Sequence, residues 1–274
     1  MPESLAIIVL THNEAENLPR CLDSIADWGD IVIVDSGSTD ETREIAEKAN
    51  ARVYQHPFES FAQQRNWALQ HCDLKTSWAL FLDADEVATP EFREAVARAI
   101  QSANDSVAGF YCCWKMMLGS RWLRRSDSFP KWQFRILRCG RGTFIDSGHG
   151  QKEGAVEGQL GYIREPYLHF AFSKGWESWW EKHNKYSSQE AADRLARSVS
   201  WRELFARDPS RRNRALKPVL SRIPGWPLWR FLHMYIFKGG FLEGREGFGY
   251  CASIAWYEFL VRLKMAELRR KERH

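Results

Sequence analysis

Three short apolar runs, each ending abruptly in polar and acidic residues, constrain this chain more than any other feature. Residues 5–10 run into Thr11-His12-Asn13-Glu14, residues 31–34 into Asp35-Ser36-Gly37-Ser38-Thr39-Asp40, and residues 78–82 into Asp83-Ala84-Asp85-Glu86. Continuous apolarity over four to six residues marks strands covered on both faces. Helical patterns lie between them: one through Leu18, Cys21, Leu22 and Ile25, one from about Glu41, one over 63–72, and one over 90–102 with Pro90 in its first turn. A short strand is expected at 52–55. Strand and helix alternate, which predicts an α/β domain with a mainly parallel sheet. Ligands of such sheets bind outside the carboxyl ends of the strands, where all three polar clusters fall.

The chemistry of the third cluster is the sharpest. Like charges at Asp83, Asp85 and Glu86 repel, and burying them is costly without a positive partner. The chain has neither GxGxxG after its first strand nor GxxxxGK[ST], which argues against dinucleotide oxidoreductases and P-loop kinases. A diphosphate therefore needs another source of positive charge. Asp-x-Asp at a strand end suits Mg²⁺ or Mn²⁺, which take carboxylate and phosphate oxygens together. On this reading the metal allows Asp83 and Asp85 to sit close, while Glu86 reads equally well as a solvated charge beside the following helix.

The stretches "IIVLTHNEAENLPRCLDSI", "IVIVDSGSTDETREIA", "FAQQRNWAL" and "WALFLDADE", in that order, resemble glycosyltransferase family 2, the inverting nucleotide-sugar transferases of the GT-A fold. "GHGQKEG", "PYLHFAFSKGWESWWEKHNKYSSQEA" and "FKGGFLEGREGFGY" extend the resemblance to bacterial enzymes of lipopolysaccharide-core and exopolysaccharide synthesis, including inner-core β-1,4-glucosyltransferases. The resemblance implies a three-layer α/β/α domain with a mostly parallel sheet and a helical, amphipathic C-terminal extension. It implies a nucleotide pocket with Thr11, Asn13, Glu14 and Ser38, a base contact by Asp35, and a nucleotide contact by Arg65. Asp83 would face the ribose or base, and Asp85 would ligate Mg²⁺ or Mn²⁺ on the diphosphate of a UDP-sugar, with His169 as a further ligand.

Inversion requires a general base on the acceptor side. Glu153, Asp146 and His149 are the leading candidates, with Asp127 also in view. Relatives often carry an adjacent His-Glu pair here, whereas this chain reads His149-Gly150-Gln151-Lys152-Glu153. Lys152, Arg135 and Arg138 are either phosphate contacts or solvated loop residues.

Charge divides the 274 residues. Residues 1–169 hold 18 Lys+Arg against 24 Asp+Glu, a net of −6, and residues 170–274 hold 21 against 11, a net of +10. A catalytic domain over 1–170 is expected, with a nucleotide-sugar half (1–105) and an acceptor half (106–170), followed by a basic, Trp-rich helical extension over 171–274. The second part mixes Trp and Tyr with Arg and Lys, includes Arg211-Arg212-Asn213-Arg214, and has four prolines within 206–227. Its apolar stretches are too short to span a bilayer. They suit helices lying on the cytoplasmic face of the inner membrane, where a lipid-linked saccharide acceptor resides. A homodimer interface is the competing reading. The Trp176, Trp179, Trp180, His183 stripe reads as core. The six cysteines show no metal spacing and read as reduced, cytoplasmic residues.

Three rival functions remain. A polyisoprenyl-phosphate sugar transferase shares the motifs. A sugar-nucleotidyltransferase would want a glycine-rich basic loop that 11–17 lacks. A nucleic-acid-binding protein would use the basic third, but no binding motif is present, so no nucleic-acid partner is expected.

Overall fold

The computed structural model describes residues 5–147, 150–196, 220 and 223–271. His149, the Arg211–Arg214 run and most of the proline-containing stretch therefore lie outside the described residues. Contacts divide the chain into two units, 1–124 with 129–173 and 125–128 with 174–274.

The first unit is built on a mixed sheet. β1 (Leu5–Thr11), β2 (Asp30–Asp35), β3 (Arg52–Gln55) and β4 (Trp78–Asp83) alternate with α1 (Leu18–Ile25), α2 (Thr42–Lys48) and α3 (Phe61–His71). After β4 come the two-residue β5 (Glu86–Val87), α4 (Pro90–Ser102), β6 (Val107–Leu118), β7 (Arg121–Trp122), β8 (Trp132–Arg138), β9 (Gly142–Ser147), β10 (Gly150–Val156) and β11 (Gln159–His169). The strand order is β3-β2-β1-β4-β8-β6-β11-β5, with β7 paired to β6. β1 to β4 pair in parallel; β8 runs antiparallel to both β4 and β6, β11 is parallel to β6, and β5 is antiparallel to β11. Six of the eight strands on that path thus point one way.

Both faces of the sheet are covered, as the apolar runs require. On one face Ile7, Val9, Leu80 and Leu82 pack with Leu18, Leu22 and Ile25 of α1 and Phe92 and Val96 of α4. On the other, Ile8, Val32, Val34 and Phe81 pack with Ala62 and Ala68 of α3 and with Phe144 of the β9–β10 hairpin. The result is the expected three-layer α/β/α domain. The Gly-rich stretch after β8 carries the short strands β9 and β10, and the 11-residue β11 follows. Gly161 and Pro166 hid β11. The register with β6 shifts between Ile163 and Tyr167, and this irregularity accommodates the proline.

The second unit contains α5 (Gly175–Ala196), α6 (Trp226–Leu232), a π-helical stretch (His233–Phe237), a 3-10 turn (Gly240–Glu243) and the 28-residue α7 (Gly244–Lys271). Ala191 of α5 packs with Tyr257, Val261 and Met265 of α7. Buried Arg194 clamps Glu258 with two hydrogen bonds of 2.8 and 3.1 Å and bonds Glu190 at 2.7 Å. The 3-10 turn lies against the start of α7, where a Cβ on Gly247 would meet the Gly240 carbonyl at 2.2 Å, so only glycine fits. Glu243 takes the backbone N–H groups of Arg125 and Ser126, and the Tyr250 hydroxyl donates to Asp127. Asp127 is thereby a buried structural carboxylate rather than a free base. The tryptophan stripe splits: Trp179 is buried, stacked on His183 with ring centroids 3.5 Å apart, while Trp180 is exposed.

Candidate active site

The carboxyl ends of β2, β1 and β4 stand side by side, which brings the three polar clusters to one edge of the sheet. The first two are knotted together through Asp35. Its fully buried carboxylate accepts from Thr11 Oγ1 (3.0 Å), the Gly37 N–H (2.9 Å), the Ser38 N–H (2.8 Å) and the Ser38 hydroxyl. Gly37 has φ +81°, a conformation that favours glycine and lets the loop fold back on the carboxylate. Asn13, also left-handed at φ 54°, donates its N–H to Ser38 Oγ and accepts from the Thr39 N–H. Glu14 accepts from Asn17 Nδ2, and its N–H bonds Thr42 Oγ1. Asp35 was expected to contact a base. In the structure its carboxylate ties the Ser36–Ser38 loop to Thr11 at the end of β1.

The third cluster holds the largest departure from the sequence reading. Its positive partners are in the chain. Asp83 bridges two buried arginines: Arg65 Nη2 donates to Oδ1 at 3.0 Å and Arg135 Nη2 to Oδ2 at 2.9 Å. Arg135 Nη2 also donates to Glu86, and its Nε bonds the Tyr167 hydroxyl at 3.2 Å. Glu86 is fully buried and takes the Asp83 N–H at 2.8 Å. The reading of Glu86 as a solvated charge is therefore corrected, as is that of Arg135 as a loop residue. Arg65 reaches Asp83 rather than solvent, and its guanidinium lies over Phe81 and Phe144. The available signal for a buried Arg135 was its place between Phe134 and Ile136 in an apolar strand.

Asp85 points differently. β5 pairs with the end of β11, His169 opposite Glu86, and this places His169 Nε2 3.4 Å from Asp85 Oδ2. The two predicted metal ligands, 84 positions apart, thus adjoin, each about a fifth exposed. Burial disfavours the imidazolium, but Asp85, Glu86 and Asp83 outweigh it and hold the His169 pKa up at about 9. Burial also raises Glu86, to about 7, with Asp83 and Asp85 acting in the same sense and Arg135 against them. Burial opposes the charged form of Asp83 too, yet Arg135 and Arg65 keep it well below the usual carboxylate range. Arg65 is lowered to about 10, by burial and then by Arg135.

A carboxylate and an imidazole this close fit one divalent cation in place of the proton they share. Among the described residues no group of three or more His, Cys, Asp or Glu is set to hold a metal. The remaining ligands would come from phosphate oxygens and water, as hard divalent ions accept.

Of the base candidates, Asp146 and Glu153 sit on the β9–β10 hairpin. Asp146 is exposed and accepts from the Ala62 N–H at 3.4 Å in the first turn of α3. Glu153 accepts from the Tyr111 hydroxyl, and burial, then this carboxylate, raises that phenol. Neither contact is with the Asp83–Asp85 cluster.

Mixed sheet, three layers and acidic strand ends define a GT-A fold, that of the nucleotide-sugar transferases. The solved mannosyltransferase PcManGT of Pyrobaculum calidifontis, in complex with GDP-Man and Mn²⁺, shares it, with a TM-score of 0.51 at 16% identity over 97% of this chain and 88% of that one. The family model Glycosyl transferase family 2 matches residues 6–156, more than half of the chain. The chain belongs to that family and is a glycosyltransferase. Its relatives include the lipopolysaccharide core biosynthesis glycosyltransferase LpsC of Rhizobium meliloti, 28% identical over 97% of this chain and 92% of that protein. A glycosyltransferase of Rickettsia bellii is 24% identical over 98% and 88%.

Proposed function

We propose that this enzyme is a metal-dependent, inverting hexosyltransferase that moves sugar from a UDP-sugar, such as UDP-glucose, to a lipid-linked glycan of bacterial envelope synthesis. The observation that carries the donor half is the Asp85–His169 pair at the end of β4, 3.4 Å apart beside an Asp83 already neutralised by two arginines. Asp83 and Glu86 face arginines inside the chain, whereas Asp85 adjoins the imidazole of His169, a second metal-ligating side chain. Asp85 and His169 would hold Mg²⁺ or Mn²⁺, whose charge would balance the diphosphate leaving group. Likeness to LpsC supports the acceptor class.

In this reading the nucleoside lies along the loop tied by Asp35, against Thr11, Asn13 and Ser38. Asp83 sits at its ribose side, held in place by Arg65 and Arg135. A carboxylate of the β9–β10 hairpin, Glu153 ahead of Asp146, takes the proton of the acceptor hydroxyl. The hydroxyl oxygen attacks the anomeric carbon from the face opposite the diphosphate, the C–O bond to the nucleotide breaks, and the configuration inverts.

A thermal-shift screen of nucleotide sugars with Mn²⁺ tests this. A rise in melting temperature that needs both the metal and a uridine nucleotide is expected. A shift with guanosine nucleotides alone would refute the donor assignment.

A further inference from the structure

We infer that the second unit carries a docking surface for an anionic lipid bilayer, made by the outer face of α7 and the turns that precede it. A surface helix ordinarily has one apolar stripe, turned to its core. Helix α7 has two. Tyr250, Tyr257, Val261 and Met265 form the buried one. Phe248, Trp256, Phe259 and Leu263 recur at helical spacing on the opposite face, and all four are exposed. That stripe is about 22 Å long at 1.5 Å per residue. Just before it, Leu228, Trp229, Phe237 and Leu242 also face solvent, with Leu228 64% and Phe237 71% accessible. Large apolar side chains exposed in such density mark an interaction surface rather than chance.

Charge selects the occupant. Residues 223–271 contain eight Lys and Arg against four Glu. Three of the four acids are engaged: Glu243 by Arg125 and Ser126, Glu258 by Arg194 and Glu267 by Lys271. Lys238, Arg245 and Arg270 are exposed along the same segments. A second copy of the chain would set this positive surface against itself across a two-fold interface. Phosphate headgroups complement it, while the aromatic and aliphatic side chains enter the acyl boundary. No described helix is long and apolar enough to cross a membrane, so the helix lies along the surface.

The test is co-sedimentation of the full chain with vesicles of phosphatidylglycerol and phosphatidylethanolamine, and separately of phosphatidylcholine alone. Binding to the anionic vesicles, weakened by salt and weak on phosphatidylcholine, is expected. The triple variant F237E/L242E/F259E should bind about 100-fold more weakly, with an unchanged circular dichroism spectrum and unchanged donor hydrolysis. Hydrolysis is read without vesicles, so failure of this surface and failure of the catalytic reading are separate results. Tryptophan emission of the wild-type chain should shift to the blue on adding anionic vesicles, a readout that needs no variant. The inference is overturned if the wild-type chain stays in the supernatant with no spectral shift, if the folded triple variant binds as tightly, or if sedimentation velocity shows a dimer that the variant breaks and vesicles bind neither.

Discussion

At the scale of the residue, Arg135 organises the centre of the site. Its buried guanidinium meets Asp83, Glu86 and the Tyr167 hydroxyl. Removing it leaves two carboxylates short of a partner, one of them wholly buried. We expect Arg135→Leu to destabilise the fold by about 3–5 kcal/mol, measured by urea denaturation. Arg135→Lys should recover only part of this, because an ammonium cannot reproduce the planar fork. The cysteines offer a second check. Burial pushes the thiols of Cys72 and Cys251 up to about 12, so almost no thiolate exists at neutral pH, and the thiolate is the reactive form. Both should resist iodoacetamide at pH 8 in the native protein and react once it is unfolded, as peptide mass spectrometry would show.

At the scale of the element, two contacts decide stability. Thr89 caps α4 by accepting the Phe92 N–H at 3.1 Å, so Thr89→Ala should cost about 1 kcal/mol. Arg194 is the stronger case: it joins α5 to Glu258 on α7 while buried. Arg194→Ala leaves Glu258 with the Trp226 indole N–H but no cation, and should speed amide exchange in α5 and α7 together while leaving β1–β4 protected, a pattern that hydrogen exchange resolves. The first four strands and α1 to α4 were legible because their side-chain pattern is local: an apolar run, a polar stop, an amphipathic helix. β11 was not, because its partners β6 and β5 are remote and its glycine and proline speak against a strand. Arg194 was equally hidden, since nothing in a Glu190-to-Arg194 spacing distinguishes a buried clamp from a solvated helix pair.

For the whole molecule, family and fold followed from motif order, and the nearness of Asp85 to His169 followed from the resemblance rather than from spacing. The partner of Asp83 did not. Sequence shows which charges crowd together, but only the pairing of β8 with β4, and α3 lying over that end, brings Arg135 and Arg65 to the carboxylate. The source of neutralisation was thus misassigned for Asp83, and Asp85 was singled out. The most direct test of the account is hydrolysis of UDP-glucose by the purified full chain with Mn²⁺, set beside Asp85→Ala and beside the wild type in excess EDTA. The account predicts slow hydrolysis by the wild type, lost in both other arms, with the melting temperature of Asp85→Ala within a few degrees of wild type because Arg65 and Arg135 still hold Asp83 and Glu86. Hydrolysis that persists in EDTA, or in a folded Asp85→Ala, would contradict it.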